Sequence, residues 1–248
     1  MSYDIFARAV WVTAQKDMRI YYRKAPVFIF GLILPTFLFL AFFVGRELDV
    51  ELYFPGFLAM SLFFTSSSVG PLIVPWEKQA GTFERLLTYP VSIATIVLGD
   101  VIAGAIFGII ISSIVGTVGV LLLGLSVESM AILILAFVLG NICFAALGVA
   151  LSAPAGRVPA NIMMLAALVR FPLIFISGIF VPISEMTSPG VYITYVSPLT
   201  YLVDALNQAM GQAYVFAWYV DMLVLGGFAL AFIISARYVL TRKSLKGL

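Results

Sequence analysis

Few side chains in this sequence can do chemistry. Of its 248 residues 10% are charged, none is histidine, and the one cysteine, Cys143, stands inside an apolar run. With no histidine, no carboxylate pair at catalytic spacing and no cysteine–histidine pair, peptide-bond cleavage and metal-dependent hydrolysis have nothing to work with. No G-x-x-x-x-G-K-[ST] phosphate loop occurs, so ATP hydrolysis of the usual kind is not expected of this chain, nor is a bound cofactor or metal. Cys143 reads as a small buried hydrophobe rather than a reactive thiol. Two features remain: the charged run EKQAGTFERLLTYP at 77–90, and Arg170, deep in an apolar stretch.

The chemistry open to EKQAGTFERLLTYP is recognition. Thr82 is placed to cap a helix starting at Phe83, with Gly81 loosening the entry. Glu84 falls in the first turn, where the helix dipole favours an anion. Phe83, Leu86 and Leu87 share one face, Glu84, Arg85 and Thr88 take the other, and Pro90 follows the end. Such a helix suits a membrane surface or a groove on a cytoplasmic partner, and the pattern alone leaves both open. Arg170 also has two readings. It is either a cation facing a transport pathway or a charge satisfied inside a helix bundle by Asn, Ser or a freed carbonyl.

The elements that hold these residues are membrane spans. The chain is 62% hydrophobic, and a crossing helix needs about 20 mostly apolar residues. Six stretches qualify: 25–45, 52–76 (with three prolines expected to kink or end it), about Gly99 to Leu125, Met130 to Leu151, Ala160 to Val181, and Phe216 to Leu240. Residues 182–215 are apolar but broken by Pro182, Pro189 and Pro198, which predicts a re-entrant or interfacial hairpin. The N-terminal residues 1–24 lack an uninterrupted apolar core, so they are not expected to be a cleaved signal. Phe6, Val10, Ala14, Met18, Tyr21 and Tyr22 line one side of that segment, and Arg8, Lys16, Arg19 and Arg23 lie largely on others, as in an amphipathic interface helix.

Charge orients the spans. Arg8, Lys16, Arg19, Arg23, Lys24, Lys78, Arg85, Arg157, Arg237, Arg242, Lys243 and Lys246 fall on one side, and Arg46 alone falls on the other with Glu47, Asp49, Glu51, Glu128, Glu185 and Asp204. That bias predicts a cytoplasmic location for both termini and for 77–90. Within the spans, Gly104, Gly108, Ser112 and Gly116 form a small-residue stripe, suited to close helix packing within the chain or between subunits. Asn141 and Asn161 read as interhelical hydrogen-bonding residues, and Asp100 and Asp221 as near-interfacial groups able to snorkel.

On these residues a resemblance rests. EKQAGTFERLLTYPVSIATIVLGDVIAG, with Gly81-Thr82-Phe83-Glu84-Arg85-Leu86 followed by Pro90-Val91-Ser92, resembles the signature of type-2 ABC transporter permeases. SGIFVPISEMTSPGVYITYVSPLTYLVDALNQAM at 177–210, with Ser197-Pro198-Leu199-Thr200-Tyr201, resembles the family's stretch before its last span. The resemblance implies an all-α polytopic membrane protein with six transmembrane helices, a cytoplasmic coupling helix at 77–90, paired extracellular re-entrant helices at 182–206 and a basic tail at 241–248. It also implies two permeases, as a homodimer or with a similar second chain, working with two separate ATPase subunits that bind ATP and Mg. Phe83, Leu86 and Leu87 would then seat in the ATPase, with Glu77, Glu84 and Arg85 supplying polar contacts. The implied setting is a prokaryotic-type cytoplasmic membrane, and the implied activity is export. Apolar span faces suit a hydrophobic, amphipathic or lipid-linked cargo, but lipid contact demands the same composition. No nucleic acid is expected among its partners, nor a fused soluble domain of the kind some polysaccharide exporters carry. A secondary carrier or channel would need internal repeats or matched midplane charges, which are not seen. A membrane-embedded receptor or scaffold would keep the docking helix without a pathway.

Overall fold

The computed structural model describes residues 3–44, 49–89, 91–154, 156, 158–181, 183, 186 and 190–246, and no strand occurs among them. The helices run α1 (Tyr3–Tyr21), α2 (Ala25–Phe28), a π-helical turn (Ile29–Ile33), α3 (Leu34–Phe43), α4 (Val50–Ala80), α5 (Thr82–Thr88), α6 (Ile93–Leu123), α7 (Met130–Ser152), α8 (Pro159–Phe175), α9 (Gly190–Thr194), α10 (Pro198–Ala209) and α11 (Trp218–Lys246). Four of them, α4, α6, α7 and α11, are long and apolar enough to cross a membrane. Two apolar helices are shorter, Ala25–Leu38 and Pro159–Phe175. Pro182, Pro189, Arg46, Glu47, Arg157, Glu185 and Pro90, which entered the span and charge expectations, lie outside the described residues.

The bundle is organised around α4, which is buried on every face from Phe54 to Pro75. Its three prolines do not break it. Pro71 has no N–H for the carbonyl of Ser67 one turn back, and the guanidinium of Arg170 on α8 donates to that oxygen instead. The polar run Thr65-Ser66-Ser67-Ser68 is buried at little cost because each hydroxyl donates to a carbonyl of its own helix, such as Thr65 Oγ1 to Ser61 O at 2.9 Å and Ser66 Oγ to Leu62 O at 2.7 Å.

Small residues let α4, α6 and α7 meet almost backbone to backbone. A Cβ on Gly70 would lie 2.5 Å from the carbonyl carbon of Gly148, and one on Gly148 would lie 2.8 Å from Ser67 O. The Gly104–Gly116 stripe faces the same junction: a Cβ on Gly104 would sit 3.0 Å from both Ser66 O and Ala145 Cβ, and one on Gly108 would overlap Asn141 Oδ1. Ser112 is buried, and Gly116 looks toward Leu58 and Phe137. The stripe is thus filled from within the chain. Asn141 donates to Phe137 O of its own helix at 2.7 Å rather than across helices, and Asn161 is exposed, so neither makes the expected interhelical bond.

Helix ends depart from expectation for local reasons. The π-turn at Ile29–Ile33 precedes Pro35, whose absent N–H and ring bulk a wider turn accommodates. α6 begins at Ile93 rather than near Gly99, because Ser92 caps it, accepting from Thr95 N at 3.1 Å. α8 stops at Phe175 rather than near Val181, just after Pro172. α1 packs Val10, Thr13, Ala14, Asp17 and Tyr21 inward along α6, where a Cβ on Gly99 would collide with Thr13, and Tyr22 donates to Ala103 O at 2.6 Å. Its other side leaves Ile5, Trp11, Val12 and Ile20 exposed. The C-terminal part of α11 shares a buried cluster with α5, since Ala236 and Leu240 pack with Phe83, Val74, Val97 and Val101. Both described ends of the chain therefore lie at the α5 end of the bundle.

Candidate functional site

α5 folds from its own punctuation. Gly81 adopts φ 68, the left-handed conformation that closes α4, and its N–H bonds Glu77 O and Lys78 O. Thr82 does not cap α5 as expected. Its hydroxyl donates back to Glu77 O at 3.2 Å, satisfying a terminal carbonyl of α4, and Gly81 holds the N-cap position with no side-chain bond.

One side chain of the apolar face of α5, Phe83, turns inward. Phe83 is 3% exposed and packs with Val74, Val97 and Val101, with the ammonium of Lys78 5.3 Å from its ring centroid. Leu87 packs partly against the same cluster. Phe83, with part of Leu87, pins α5 to the bundle, because burying them removes apolar area from water. What points outward is polar: Thr82, Glu84, Arg85, Thr88 and Tyr89 are exposed. Half-buried Leu86 stands between two grooves. One, of about 650 Å³, runs along α1 past Ile5, Arg8, Val12 and Val91. The other, of about 490 Å³, is lined by Ile20, Lys24, Trp76, Arg85 and Tyr89.

Beneath α5 lies a charge cluster that sequence reasoning missed. Glu77, expected to reach a partner, is 4% exposed and accepts a hydrogen bond from Lys16 Nζ of α1. Lys16 Nζ lies 3.0 Å from Asp17 Oδ1. Asp100 of α6 is fully buried beside them rather than snorkelling. Burial opposes the charge on Lys16, yet the carboxylates of Asp17, Asp100 and Glu77 outweigh it and hold the ammonium well above the usual lysine range. Burial pushes the Asp17 carboxyl up, with Lys16 only partly opposing. The available signal was Asp17 in the same register as Val10, Ala14 and Tyr21, which places a carboxylate on the inward face of α1.

Elsewhere the structure assigns quieter roles. Arg170 is 4% exposed, and its Nη2 donates to the carbonyl freed by Pro71. Asp221, in the first turn of α11, is fully buried, and neither of its oxygens has a hydrogen-bond donor among the described residues.

At the opposite end, each residue of the Ser197–Tyr201 motif has a use. Ser197 Oγ accepts from Leu199 N at 3.3 Å, Pro198 opens α10, and Leu199 is core. Thr200 Oγ1 donates to Thr194 O at 2.6 Å and Tyr201 OH to Tyr195 O at 3.0 Å, so the carbonyls ending α9 are satisfied. Asp204 accepts from Val215 N at 2.8 Å and Phe216 N at 2.7 Å, fixing the entry to α11. Asp204→Ala leaves two N–H groups without partners and is expected to cost about 2 kcal/mol, read as a lowered melting temperature in detergent.

Residues 8–210, most of the chain, match the family model described as ABC-2 type transporter. No curated protein matches the chain.

Proposed function

The chain belongs to the ABC-2 type transporter family, and from that premise we propose that it is the permease of an ATP-driven exporter, energised through α5 by a separate ATPase subunit. The observation that carries this reading is the construction of α5. A short helix is pinned from below by Phe83 and presents Glu84, Arg85 and Thr88 outward. A mere connection between α4 and α6 needs no buried aromatic anchor. A helix that must pass force into the bundle does.

Six crossings are proposed: α2 to α3, α4, α6, α7, α8 and α11. At about 1.5 Å per residue, the shorter pair come close to the hydrocarbon thickness of about 30 Å. The α5 end carries Arg8, Arg19, Arg23, Lys24, Lys78, Arg85, Arg237 and Arg242, which supports a cytoplasmic location for that end and for both termini. α9 and α10 would then form the extracellular re-entrant pair. The docking surface would consist of the outer face of α5 with Leu86, and the flank of α1 across the grooves. ATP and Mg would be held by two ATPase copies, whose closure draws two α5 helices together and rocks two permeases between inward and outward access. A pathway between two copies, apolar enough to admit an amphipathic or lipid-linked cargo, fits a bundle whose own centre is filled by α4.

Inside-out vesicles reconstituted with permease and ATPase are expected to accumulate a fluorescent amphipathic probe only with ATP. Accumulation driven by an ion gradient without ATP would instead make the chain a secondary carrier.

A further inference from the structure

The cluster under α5 joins three elements with one ammonium. Lys16 comes from α1, Glu77 from the last turn of α4 at the root of α5, and Asp100 from the start of α6. Asp17, Glu77 and Asp100 are all buried, and Lys16 keeps only 26% of its side chain exposed. Lys16 donates to Glu77 Oε1 and lies 3.0 Å from Asp17 Oδ1. Asp100 lies fully buried beside this pair, and its charge adds to those that hold the Lys16 ammonium. Among the described residues no group of carboxylates is placed to hold a metal, so the surplus negative charge is not explained that way.

The arrangement is specific to these three elements. Hydrophobic packing already holds α1 on α6 through Val10, Ala14 and Tyr21, and holds α5 on the bundle through Phe83. Buried ions add little net stability over an apolar replacement of the same shape, but they fix relative position, because any slide leaves a charge unpaired in a poorly solvated site. Packed apolar faces tolerate sliding far better.

We propose that Lys16 is a positioning residue for energy coupling: by tying Glu77, at the root of α5, to α1, which is packed along α6 at Gly99, it makes α1 and α5 move as one body. Displacement of α5 is then delivered to the bundle through α1 rather than absorbed at the Gly81 turn. This rests on the reading that α5 receives the ATPase.

The test uses full-length permease reconstituted with its ATPase, with transport measured per ATP hydrolysed. Lys16→Met is expected to lower that ratio about tenfold or more, the scale of ordinary coupling energies, while the ATPase still binds and hydrolyses. The charge exchange Lys16→Glu with Glu77→Lys should recover most of it. If Lys16→Met fails to fold, the pair Lys16→Met with Glu77→Gln removes both charges together and is expected to show the same loss of ratio. A wild-type ratio in either variant overturns the inference while leaving the ATPase reading intact. A wild type that neither binds an ATPase nor transports with ATP overturns both.

Discussion

Phe83→Asp is expected to reduce ATP-driven transport to background and to lower the melting temperature of the permease purified alone. The second effect is the informative one. Phe83 is buried among Val74, Val97 and Val101, so the substitution removes a large apolar side chain and puts a carboxylate among apolar neighbours, with only the Lys78 ammonium near it. Each is among the most destabilising changes known, and together they are expected to cost several kcal/mol. Phe83→Leu keeps most of the volume and should cost about 1.5 kcal/mol or less, with transport largely retained. Arg85→Glu, on the exposed face of the same helix, should leave the melting temperature within about 0.5 kcal/mol of wild type in stability and still weaken ATPase capture. If Phe83→Asp instead leaves the isolated permease as stable as wild type, Phe83 faces the partner and the inward placement is wrong.

Gly148→Leu is expected to prevent assembly of the bundle, with loss of monodisperse protein in detergent and rapid proteolysis. Even a methyl group at this position would lie 2.8 Å from Ser67 O, and the facing Gly70 comes equally close to Gly148 and Val149 backbone. Backbone cannot yield as a flexible side chain can, so α4 and α7 must separate. That separation opens the junction at which α6 also packs through Gly104 and Gly108. Gly227→Leu is the matched control, since nothing lies within 4 Å of a Cβ there, and it should behave as wild type. Equal behaviour of the two variants would show that the α4–α7 approach is looser than described.

Much of this was legible before any coordinates. The inward side of α1 follows from the spacing of Val10, Ala14 and Tyr21, and α7 from Met130 to about Leu151 follows from an unbroken apolar run between polar turns. The faces of α4 were not legible, because a helix surrounded on all sides is apolar all round and carries no periodic signal. Nor was its continuity, since the partner that satisfies Ser67 O comes from Arg170, over a hundred positions away in sequence. α5 shows the limit most clearly. The pattern Phe83, Leu86, Leu87 defines an apolar face, but sequence does not say whether that face meets the same chain or another one. The cluster of Lys16, Asp17, Glu77 and Asp100 was hidden for the same reason: each residue has an ordinary explanation alone, and only tertiary packing brings them together.

The central claim is that a separate ATPase drives this permease through α5. The most direct measurement is purification of the tagged chain from its native membranes in mild detergent, beside Arg85→Glu, with identification of the proteins that accompany each. An ATPase subunit is predicted to accompany the wild type and to be lost or strongly depleted from Arg85→Glu, whose own melting temperature is unchanged. Wild-type protein that carries no ATPase, even after cross-linking in the membrane, would contradict the claim.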